Sequence, residues 1–441
     1  MNKLLTILLI IILQNCSFDN KTGIWKNENR ITIKKDDKYI EFKKLFTKEK
    51  TFNKIIAPDA KLNIKFDPIK ISEKWHDEFY QNTNNLDNFS YNLVNKLIFK
   101  SKKLSKNKKK DNIFYNKKNI ITTNAKGDII IFSIENNKVI YQYNFYKKKF
   151  KKLPKNLNII IEKDIIYSAD NLGYLYALDY KKDKILWAVN YEIPFRSNIK
   201  IFSDIIAVSD QNNMLHFINK TNGQSIKFTP TEETVIKNSF INSLASNDNF
   251  LFYLNTFGSL YAFDNKSLKI NWFINLNAST DINVSDIFYS NSILLHDNMI
   301  VISTDPYLYA INQINGSQIF KLPVSSVVKP IISGQSIFIV TKDNLLVNID
   351  INTGKIIYSI DIASEIGNFL EIKKKNIYVK HLFITNNYLR IFLDNSYSVS
   401  FDENGKINKI DKFKYELNSF PLFINNSMMY LNKKNKLIVL N

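Results

Sequence analysis

The chain contains eight copies of one short pattern, and this repeat constrains its fold more than any other feature. Each copy is a run of aliphatic and aromatic residues that ends in an acidic or amide residue, as in GYLYALD. The eight runs end between 38 and 52 residues apart, at Glu135, Asp179, Asn219, Asp264, Asn312, Asp350, Asp402 and Asn441. A period of this size accommodates four short strands with their turns, so the repeat predicts a propeller or a solenoid.

The residues within each repeat favour a propeller. The runs are too short for helices and are rich in β-branched and aromatic residues, which is typical of strands. In GYLYALD, Leu175 and Ala177 lie on one face of the strand, and Tyr176 and Leu178 lie on the other. Both faces are apolar, and blades stacked around an axis would cover both. We therefore expect an all-β, eight-bladed β-propeller.

A bulky residue follows several of these runs after a polar turn. It stands eight positions past the end of the run, at Trp187, Trp272, Phe320 and Tyr358. We expect these rings to pack between blades, where each would contribute about 1.5 to 3 kcal/mol. The alternative is an aromatic cage that binds a cofactor. Because the chain has only 10 glycines, we also expect asparagine at many left-handed turn positions.

The two ends of the repeat region predict how the ring closes. The last run stops at Asn441, so its blade lacks a following strand. The stretch LVNKLIFKSK, residues 93–102, resembles the strand KILWAVN by type and precedes the first repeat. We infer that this amino-terminal strand completes the eighth blade and covers its edge. The predicted propeller then spans residues 75–441, and residues 16–74 form an arm before it.

The first residues have the architecture of a secretory signal. One lysine precedes a mostly apolar run, Leu4–Leu13, which is too short to span a bilayer. Cys16 follows directly after this run and Gln14 and Asn15. It is the only cysteine of the chain, so the chain cannot form an internal disulfide. We predict that residues 1–15 are a signal peptide and that Cys16 carries a lipid anchor.

The stretch LQNC resembles the bacterial lipobox, in which the cysteine becomes the lipidated first residue of the mature protein. Gln14 and Asn15 depart from the small residues that this motif prefers. Ser17 follows where aspartate would favour retention in the inner membrane, so the resemblance implies the outer membrane. The alternative is an ordinary cleaved signal with a coincidental cysteine at this place.

The formal net charge of +20 is compatible with a polyanion or anionic lipid as a partner. Lysine is abundant throughout the chain, however, which favours a general compositional bias over a dedicated ligand site. The densest run, Lys100–Lys110, contains no arginine or aromatic residue. Because grooves for single-stranded nucleic acid combine basic residues with stacking platforms, we interpret this run as a solvated loop and expect no nucleic-acid partner.

The motifs GYLYALDYKKDKILW and GSLYAFDNKSLKINW resemble the quinoprotein-type, or PQQ-like, propeller repeat. A lipoprotein built of such repeats resembles the BamB-like family of the machinery that assembles outer-membrane β-barrel proteins. The resemblance implies a scaffold without catalytic residues, cofactor or metal, on the periplasmic face of the outer membrane. It also implies docking on the POTRA domains of a BamA-like barrel subunit, and contact with unfolded outer-membrane protein substrates.

The same resemblance implies a partner-binding site. In BamB-like proteins the segment after the second repeat carries an arginine that contacts the barrel subunit, and Arg196 stands at that place, preceded by Phe195. Pro194 predicts a surface turn there, and the alternative interpretation is an ordinary surface arginine. The family has acidic residues in the next such segment, whereas here Glu232 and Glu233 lie slightly before the equivalent stretch.

Two other classes remain open at the level of sequence. Quinone-dependent dehydrogenases use the same repeat, and a lipoprotein propeller could also serve as scaffold of another envelope complex. The four histidines, His76, His216, His296 and His381, lack the spacing of a zinc motif. No nucleophile elbow or phosphate-binding glycine loop is found in the sequence.

The predicted anchor leads to a direct test. We expect Cys16→Ala to abolish lipidation and release the protein from membranes, because the substitution removes the only residue that can carry the lipid. Fractionation of cells that produce the variant measures this. Unchanged tight membrane association would contradict the prediction.

Overall fold

The computed structural model describes two short strands near the amino terminus and most of the chain after residue 50. The described residues are 16–18, 25–27, 51–59, 64–105, 109–146, 150, 152–233, 242–277, 288–373 and 376–441. The chain divides into two compact units, residues 1–50 and 51–441. In the first unit, β1 (Cys16–Phe18) and β2 (Trp25–Asn27) pair antiparallel. Residues 1–15, the predicted signal peptide, lie outside the described residues.

The second unit is an eight-bladed β-propeller, as the repeat predicts. Two strands precede the first blade, β3 (Asn88–Phe89) and β4 (Leu97–Lys103). Blade 1 consists of β5 (Lys109–Asn116), β6 (Asn119–Asn124), β7 (Asp128–Ser133) and β8 (Lys138–Asn144). Blade 2 consists of β9 (Leu157–Glu162), β10 (Ile165–Asp170), β11 (Tyr174–Asp179) and β12 (Lys184–Asn190). Blade 3 consists of β13 (Lys200–Phe202), β14 (Ile205–Ser209), β15 (Leu215–Asn219) and β16 (Ser225–Thr229).

The remaining blades repeat this arrangement. Blade 4 consists of β17 (Ser243–Ser246), β18 (Phe250–Leu254), β19 (Ser259–Asp264) and β20 (Ile270–Asn275), and blade 5 of β21 (Leu294–His296), β22 (Met299–Ser303), β23 (Leu308–Asn312) and β24 (Gln318–Leu322). Blade 6 consists of β25 (Ile331–Ser333), β26 (Ser336–Val340), β27 (Leu345–Asp350) and β28 (Ile356–Asp361), and is followed by helix α1 (Ile362–Phe369). Blade 7 consists of β29 (Val379–Thr385), β30 (Tyr388–Leu393), β31 (Tyr397–Phe401) and β32 (Ile407–Lys412). Blade 8 contains β33 (Leu422–Ile424), β34 (Ser427–Leu431) and β35 (Lys436–Leu440).

Each blade is an antiparallel sheet in which the first strand lies innermost. First strands of adjacent blades contact one another, as β13 contacts β17 and β17 contacts β21. Fourth strands such as β16 and β20 have mostly exposed residues, so they form the rim. Because every blade repeats this topology, the propeller has two ends. We call the end with the connections from a fourth strand to the next first strand the entry end, and the end with the turns between first and second strands the hairpin end.

The predicted closure of the ring by an amino-terminal strand is confirmed. Blade 8 is completed by β4, which pairs antiparallel with β35, so that Phe99 is opposite Val439 and Leu97 is opposite Leu440. The backbone N–H of Leu437 also donates to Ser101 Oγ at 2.8 Å. The first and last strands of the propeller thus share one sheet, and the fourth-strand position that the sequence leaves empty is filled.

The interpretation of Lys100–Lys110 as a solvated loop is wrong at both ends of the run. Lys100, Lys102 and Lys103 lie in β4, and the run resumes in β5. The physical reason is that β4 is an outermost strand, whose side chains alternate between solvent and the neighbouring blade. Its lysines are exposed, whereas Ser101 between them is buried. Residues 106–108 lie outside the described residues.

The hydrophobic core lies between the blades, and the bulky residues of the fourth strands pack there as predicted. Trp187 of blade 2 is 8% exposed and lies against Gly223 in the turn of blade 3. Its indole N–H donates to the carbonyl of Lys220 at 3.0 Å. Trp272 contacts Gly316 of the next blade in the same way. These contacts make each aromatic ring part of the interface with the following blade.

Turn asparagines take the left-handed conformation that glycine would otherwise supply. Within the part of the chain that the structure describes, ten residues with a positive φ are asparagines: Asn84, Asn95, Asn137, Asn213, Asn344, Asn386, Asn387, Asn425, Asn426 and Asn435. Asparagine tolerates this region because its short polar side chain can bond locally to the backbone. The prediction drawn from the low glycine content is confirmed.

A segment before the first blade fills the axis at the hairpin end. We call residues 72–89 the axial segment. Trp75 exchanges two backbone hydrogen bonds with Tyr115 of blade 1, at 2.9 and 3.0 Å, and the carbonyl of His76 accepts from Ile161 of blade 2 at 2.9 Å. Farther along the segment, the carbonyl of Asn82 accepts from Ser246 N–H of blade 4 and that of Thr83 from Leu295 N–H of blade 5, each at 2.9 Å. The segment is therefore part of the folded unit.

Asparagine side chains extend this contact to the other blades. Asn84 is fully buried, and its amide donates to Leu244 of blade 4 at 2.9 Å and to Ile293 of blade 5 at 2.8 Å. Asn85 donates to the carbonyl of Ile332 in blade 6 and accepts from the N–H of the same residue. The strand β3 pairs parallel with β29 of blade 7. A bond from Asn425 N–H to the Ser72 carbonyl links blade 8.

The part of the predicted arm that is described also packs on the propeller. Ile56 exchanges two backbone hydrogen bonds with Ser359 of the outer strand β28, each 2.9 Å long. Phe52 N–H donates to the carbonyl of Pro323 at 2.7 Å. Residues 51–59 and 64–74 thus lie in the same compact unit as the blades. The boundary at residue 75 and the role of residues 16–74 as a linker stay predictions.

Closure through β4 predicts a strong effect on stability. We expect replacement of Leu97–Lys103 by a Gly/Ser segment of equal length to lower the unfolding temperature and broaden the transition, because the edge of β35 loses its partner and its apolar cover. The same replacement of the rim strand Ser225–Thr229 is the matched control and should have a smaller effect. Thermal unfolding followed by circular dichroism measures both. A seam variant that melts like the parent would show that closure does not depend on β4.

Candidate functional site

The predicted site residues lie at the entry end, in the connection from blade 2 to blade 3. Phe195 N–H donates to the carbonyl of Asp170 at 3.0 Å, and Arg196 N–H donates to the carbonyl of Ser209 at 2.9 Å. The carbonyl of Arg196 accepts from Asn242 N–H at 3.0 Å. These bonds hold the connection against loops of blades 2 and 3 and against the segment that enters blade 4.

The prediction of a surface turn at this place is wrong. Phe195 is only 4% exposed and Arg196 only 7%. The reason is that the loop between the second and third strands of blade 3 covers the connection, as shown by the 2.7 Å bond from Gln211 N–H to the Pro194 carbonyl. The role of Phe195 and Arg196 in partner binding stays a prediction. The structure brings the two residues together as buried parts of the blade 2 and blade 3 interface.

Phe195 belongs to an aromatic cluster beside a histidine–carboxylate pair. Its ring meets those of Tyr191 and His216 edge to face, with centroids 5.6 and 5.8 Å away. His216 Nε2 lies 2.8 Å from Asp210 Oδ2, and both residues are buried. The other carboxylate oxygen of Asp210 accepts from the N–H groups of Asn212 and Met214. The pair thus fixes the loop that covers Phe195.

Arg196 lies next to a buried network of neutral polar groups. Burial lowers the pKa of Arg196, and the nearby Tyr253 and Asp210 oppose that shift. The amide of Asn242 donates to Ser209 Oγ, Asn213 Oδ1 and Tyr253 Oη at 3.0 to 3.1 Å. Such a network orders the loops that meet here, because buried polar groups are costly without partners. Arg196 itself is buried, so its positive charge lies beneath the surface of the entry end.

Exposed acidic residues stand above this network. The side-chain amide of Asn213 donates to the backbone carbonyl of Glu232 at 2.9 Å, which joins the segment after blade 3 to the network. The Glu232 carboxylate accepts from Tyr261 at 2.8 Å and from Asn255 at 2.6 Å. Burial alone would raise the pKa of Glu232, but these bonds, with one from Ser259, lower it. Glu233 is exposed next to it, so this part of the entry end carries negative charge.

A polar residue at the end of the second strand, or directly after it, was missed in the sequence for several blades. Asp170 caps the following loop by accepting from the N–H groups of Leu172 and Tyr174, as Asp210 does in blade 3. A signal for it exists, because a polar residue stands nine positions before many repeat ends: Asp170, Asp210, Asn255, Thr341 and Asn432. This second periodic position would have predicted that the loops at the entry end are rigid.

A cleft of about 830 Å³ lies at the hairpin end, where the axial segment meets blades 1 to 3. His76, Lys74, Lys117 and Lys163 are among its lining residues. His76 Nε2 lies 3.1 Å from Asn116 Oδ1, and burial lowers the pKa of His76. A mostly neutral imidazole with a fixed amide partner is a structural element here.

Within the described ranges, no group of three or more histidine, cysteine, aspartate or glutamate side chains is placed to hold a metal ion. Burial lowers the pKa of His381 to about 4. His296 lies on the first strand of blade 5, with Nε2 3.6 Å from the exposed Asp297. Among the residues that the structure describes, no helix has the length and apolar character needed to cross a bilayer.

Comparison with known proteins shows the fold. No family model matches the chain. It is 27% identical over 334 residues to an uncharacterized protein, RP232, of Rickettsia prowazekii, covering 70% of this chain and 78% of that protein. Among solved structures, BamB from Moraxella catarrhalis superposes with a TM-score of 0.61 at 14% identity, covering 78% of this chain and 99% of that chain. A quinohemoprotein alcohol dehydrogenase from Comamonas testosteroni superposes with a TM-score of 0.58 at 8% identity, covering 83% and 80%. The chain is thus an eight-bladed propeller similar in structure to BamB and to quinoprotein dehydrogenases.

The burial of Arg196 changes what a charge reversal will do. We expect Arg196→Glu to reduce the free energy of unfolding by about 3 to 5 kcal/mol, because it places a second carboxylate beside Asp210 in a buried position. Lys126→Glu, an exposed reversal in the loop between the second and third strands of blade 1, should change it by less than about 0.5 kcal/mol. Urea unfolding measures both. Equal stability of the two variants would mean that Arg196 is solvent-accessible in solution.

Proposed function

We propose that the protein is a non-enzymatic scaffold lipoprotein of the outer-membrane β-barrel assembly machinery. In this proposal it docks on the POTRA domains of a BamA-like subunit and assists the insertion of unfolded outer-membrane proteins. The observation that carries the proposal is the match to BamB, which extends over 99% of the BamB chain. Lipidated Cys16 would hold the protein on the periplasmic face of the outer membrane.

The arrangement of the entry end supports a docking role. Exposed Glu192, Glu232 and Glu233 lie on the connections that enter blades 3 and 4. The buried network around Asn213 and Asn242 fixes these connections before any partner arrives. A preformed surface loses little conformational entropy on binding, which favours affinity.

Phe195 and Arg196 lie beneath this surface and support it. Because they are buried, their proposed role is to position the two connections and to set the local charge. The direct electrostatic contact then falls to the exposed carboxylates, which would pair with basic groups of the partner. Charge complementarity of this kind steers association and fixes register.

The structural similarity to a quinohemoprotein alcohol dehydrogenase supports a second candidate, a quinone-dependent dehydrogenase. The two candidates differ in what the purified protein does. A scaffold binds POTRA domains and leaves an electron-accepting dye unchanged, whereas a dehydrogenase reduces the dye when quinone and an alcohol are supplied.

The docking proposal is tested by calorimetry with the purified POTRA domains of the same organism. We expect Glu233→Lys to weaken binding about tenfold, which corresponds to about 1.4 kcal/mol. Asp204→Lys is the matched control, because Asp204 is exposed on the same blade but at the hairpin end. Its affinity should equal that of the parent.

Three results would count against the proposal. Absence of binding by the parent protein would remove the docking role. Equal weakening by Glu233→Lys and Asp204→Lys would place the contact elsewhere or make it unspecific. Quinone-dependent dye reduction by the parent would favour the dehydrogenase.

A further inference from the structure

Large apolar side chains are exposed on three successive connections at the entry end. Tyr289 precedes blade 5, Val327 precedes blade 6, and the segment after α1 precedes blade 7. The first two connections touch, since the side-chain amide of Asn291 donates to the carbonyl of Ser326 at 2.9 Å. We call the six residues of this surface that are 44 to 70% exposed the apolar band: Tyr289, Val327, Phe369, Leu370, Ile372 and Tyr378.

The helix explains why this part of the band projects. Asp361 caps α1 by accepting from Ser364 N–H at 3.0 Å, and Ile362 and Ala363 bury the first turn in the core. The chain leaves the helix at Phe369 and Leu370, whose side chains are 49 and 44% exposed. Helix α1 and the segment after it lie between Asp350 and Asp402, and they account for the longest interval between repeat ends. The fold thus presents apolar side chains at the tip of an added element.

Basic residues accompany the band. Lys342 lies in the loop that meets α1, as shown by the bond from Ile362 N–H to the Asn344 carbonyl, and Lys373 follows Ile372 directly. Both are exposed. The sequence continues with Lys374 and Lys375, which lie outside the described residues. In the sequence the run Lys373–Lys375 makes this connection basic, although exposed Glu371 and Asp343 oppose part of that charge.

The described part of the amino-terminal arm begins at the same end. Phe52 bonds to Pro323, in the connection that enters blade 6, and Ile56 then pairs with Ser359 two residues before the end of β28. Farther along, Asp67 N–H donates to Ser333 Oγ at the hairpin end. The chain therefore runs from the entry end to the hairpin end. The described part of the arm thus starts beside the connection that carries Val327.

We propose that the apolar band rests on an anionic lipid surface. Phe369, Leu370 and Ile372 would enter the boundary between headgroups and acyl chains, Tyr378 would lie at headgroup level, and the lysines would face phosphate groups. Aromatic and aliphatic side chains flanked by lysine are the combination that binds such an interface. The described part of the arm also starts at this end of the propeller. The proposal does not depend on the proposed docking to POTRA domains.

The test uses the chain from residue 16 onward with Cys16→Ala, so that neither the signal nor a lipid anchor contributes. Co-sedimentation with vesicles that contain phosphatidylglycerol measures binding, and vesicles of phosphatidylcholine alone are the comparison. We expect binding to the anionic vesicles that weakens at high salt, because exposed charges are screened. The pair Phe369→Ser and Leu370→Ser should weaken it at least tenfold.

The matched control is the pair Ile226→Ser and Phe228→Ser on the rim of blade 3, which are 50 and 60% exposed. This pair removes a similar apolar area from a surface outside the band. The variant should bind vesicles like the parent. Circular dichroism establishes that both pairs are folded, and Tyr378→Ser repeats the test if the helix pair is not. Glu233→Lys should leave vesicle binding unchanged, which separates this proposal from the docking site.

Several outcomes would overturn the proposal. These are no binding to anionic vesicles, equal binding to phosphatidylcholine, or equal losses for the band and rim variants. If the band variants bind vesicles like the parent but lose affinity for the POTRA domains, the band is a protein interface and the lipid assignment is wrong.

Discussion

The repeat itself supplies no strand beyond the innermost strand of each blade, and the propeller depends on how the backbone groups at these inner edges are satisfied. At the hairpin end the axial segment supplies partners by bonding to all eight blades, through its own backbone and through the side chains of Asn82, Asn84 and Asn85. Buried peptide groups without partners are costly, so this segment is as much part of the propeller as the repeats. An ion pair strengthens the contact: Lys200 Nζ, fully buried on the first strand of blade 3, lies 2.7 Å from Asp77 Oδ2. Because removing one member of a buried pair is far more damaging than removing both, Asp77 and Lys200 are expected to depend on each other.

The interfaces between blades follow a second constraint, which is space. A Cβ atom at Gly223 would lie 2.4 Å from the ring of Trp187, and one at Gly316 would lie 2.6 Å from Trp272. Both glycines also have a positive φ, so side chains are unfavourable there on two counts. The pairing of an aromatic ring on one blade with a turn glycine on the next therefore fixes the spacing of neighbouring sheets. At Gly405 of blade 7, the tryptophan ring is replaced by two smaller side chains, Tyr358 and Ile360. The contact is retained while its residues vary.

The sequence predicted the architecture because the third strand of each blade is buried on both faces. Leu175, Ala177, Tyr176 and Leu178 are all buried, and a run of this kind is conspicuous in a lysine-rich and asparagine-rich chain. The rim strands alternate between exposed and half-buried residues, so they are recognisable only by their bulky residue. The axial segment was missed for a different reason: its contacts are made by asparagine amides and backbone carbonyls, which resemble the composition of the whole chain. Arg196 was misplaced because a proline usually indicates a surface turn, whereas here a neighbouring loop lies over it. Local sequence does not report which loops cover one another.

The path of the chain also decides where a mechanical load would act. A pull applied to the chain at residue 51 reaches Phe52 and Ile56 first. Their backbone bonds to Pro323 and Ser359 attach the chain to the connection before blade 6 and to the outer strand of that blade. The axial segment comes next, and only then β4, the strand that closes the ring. Tension would therefore have to strip the arm from blade 6 and draw the segment out of the axis before it could peel the seam. The order of these attachments makes the weakest topological point of the ring the last to bear force.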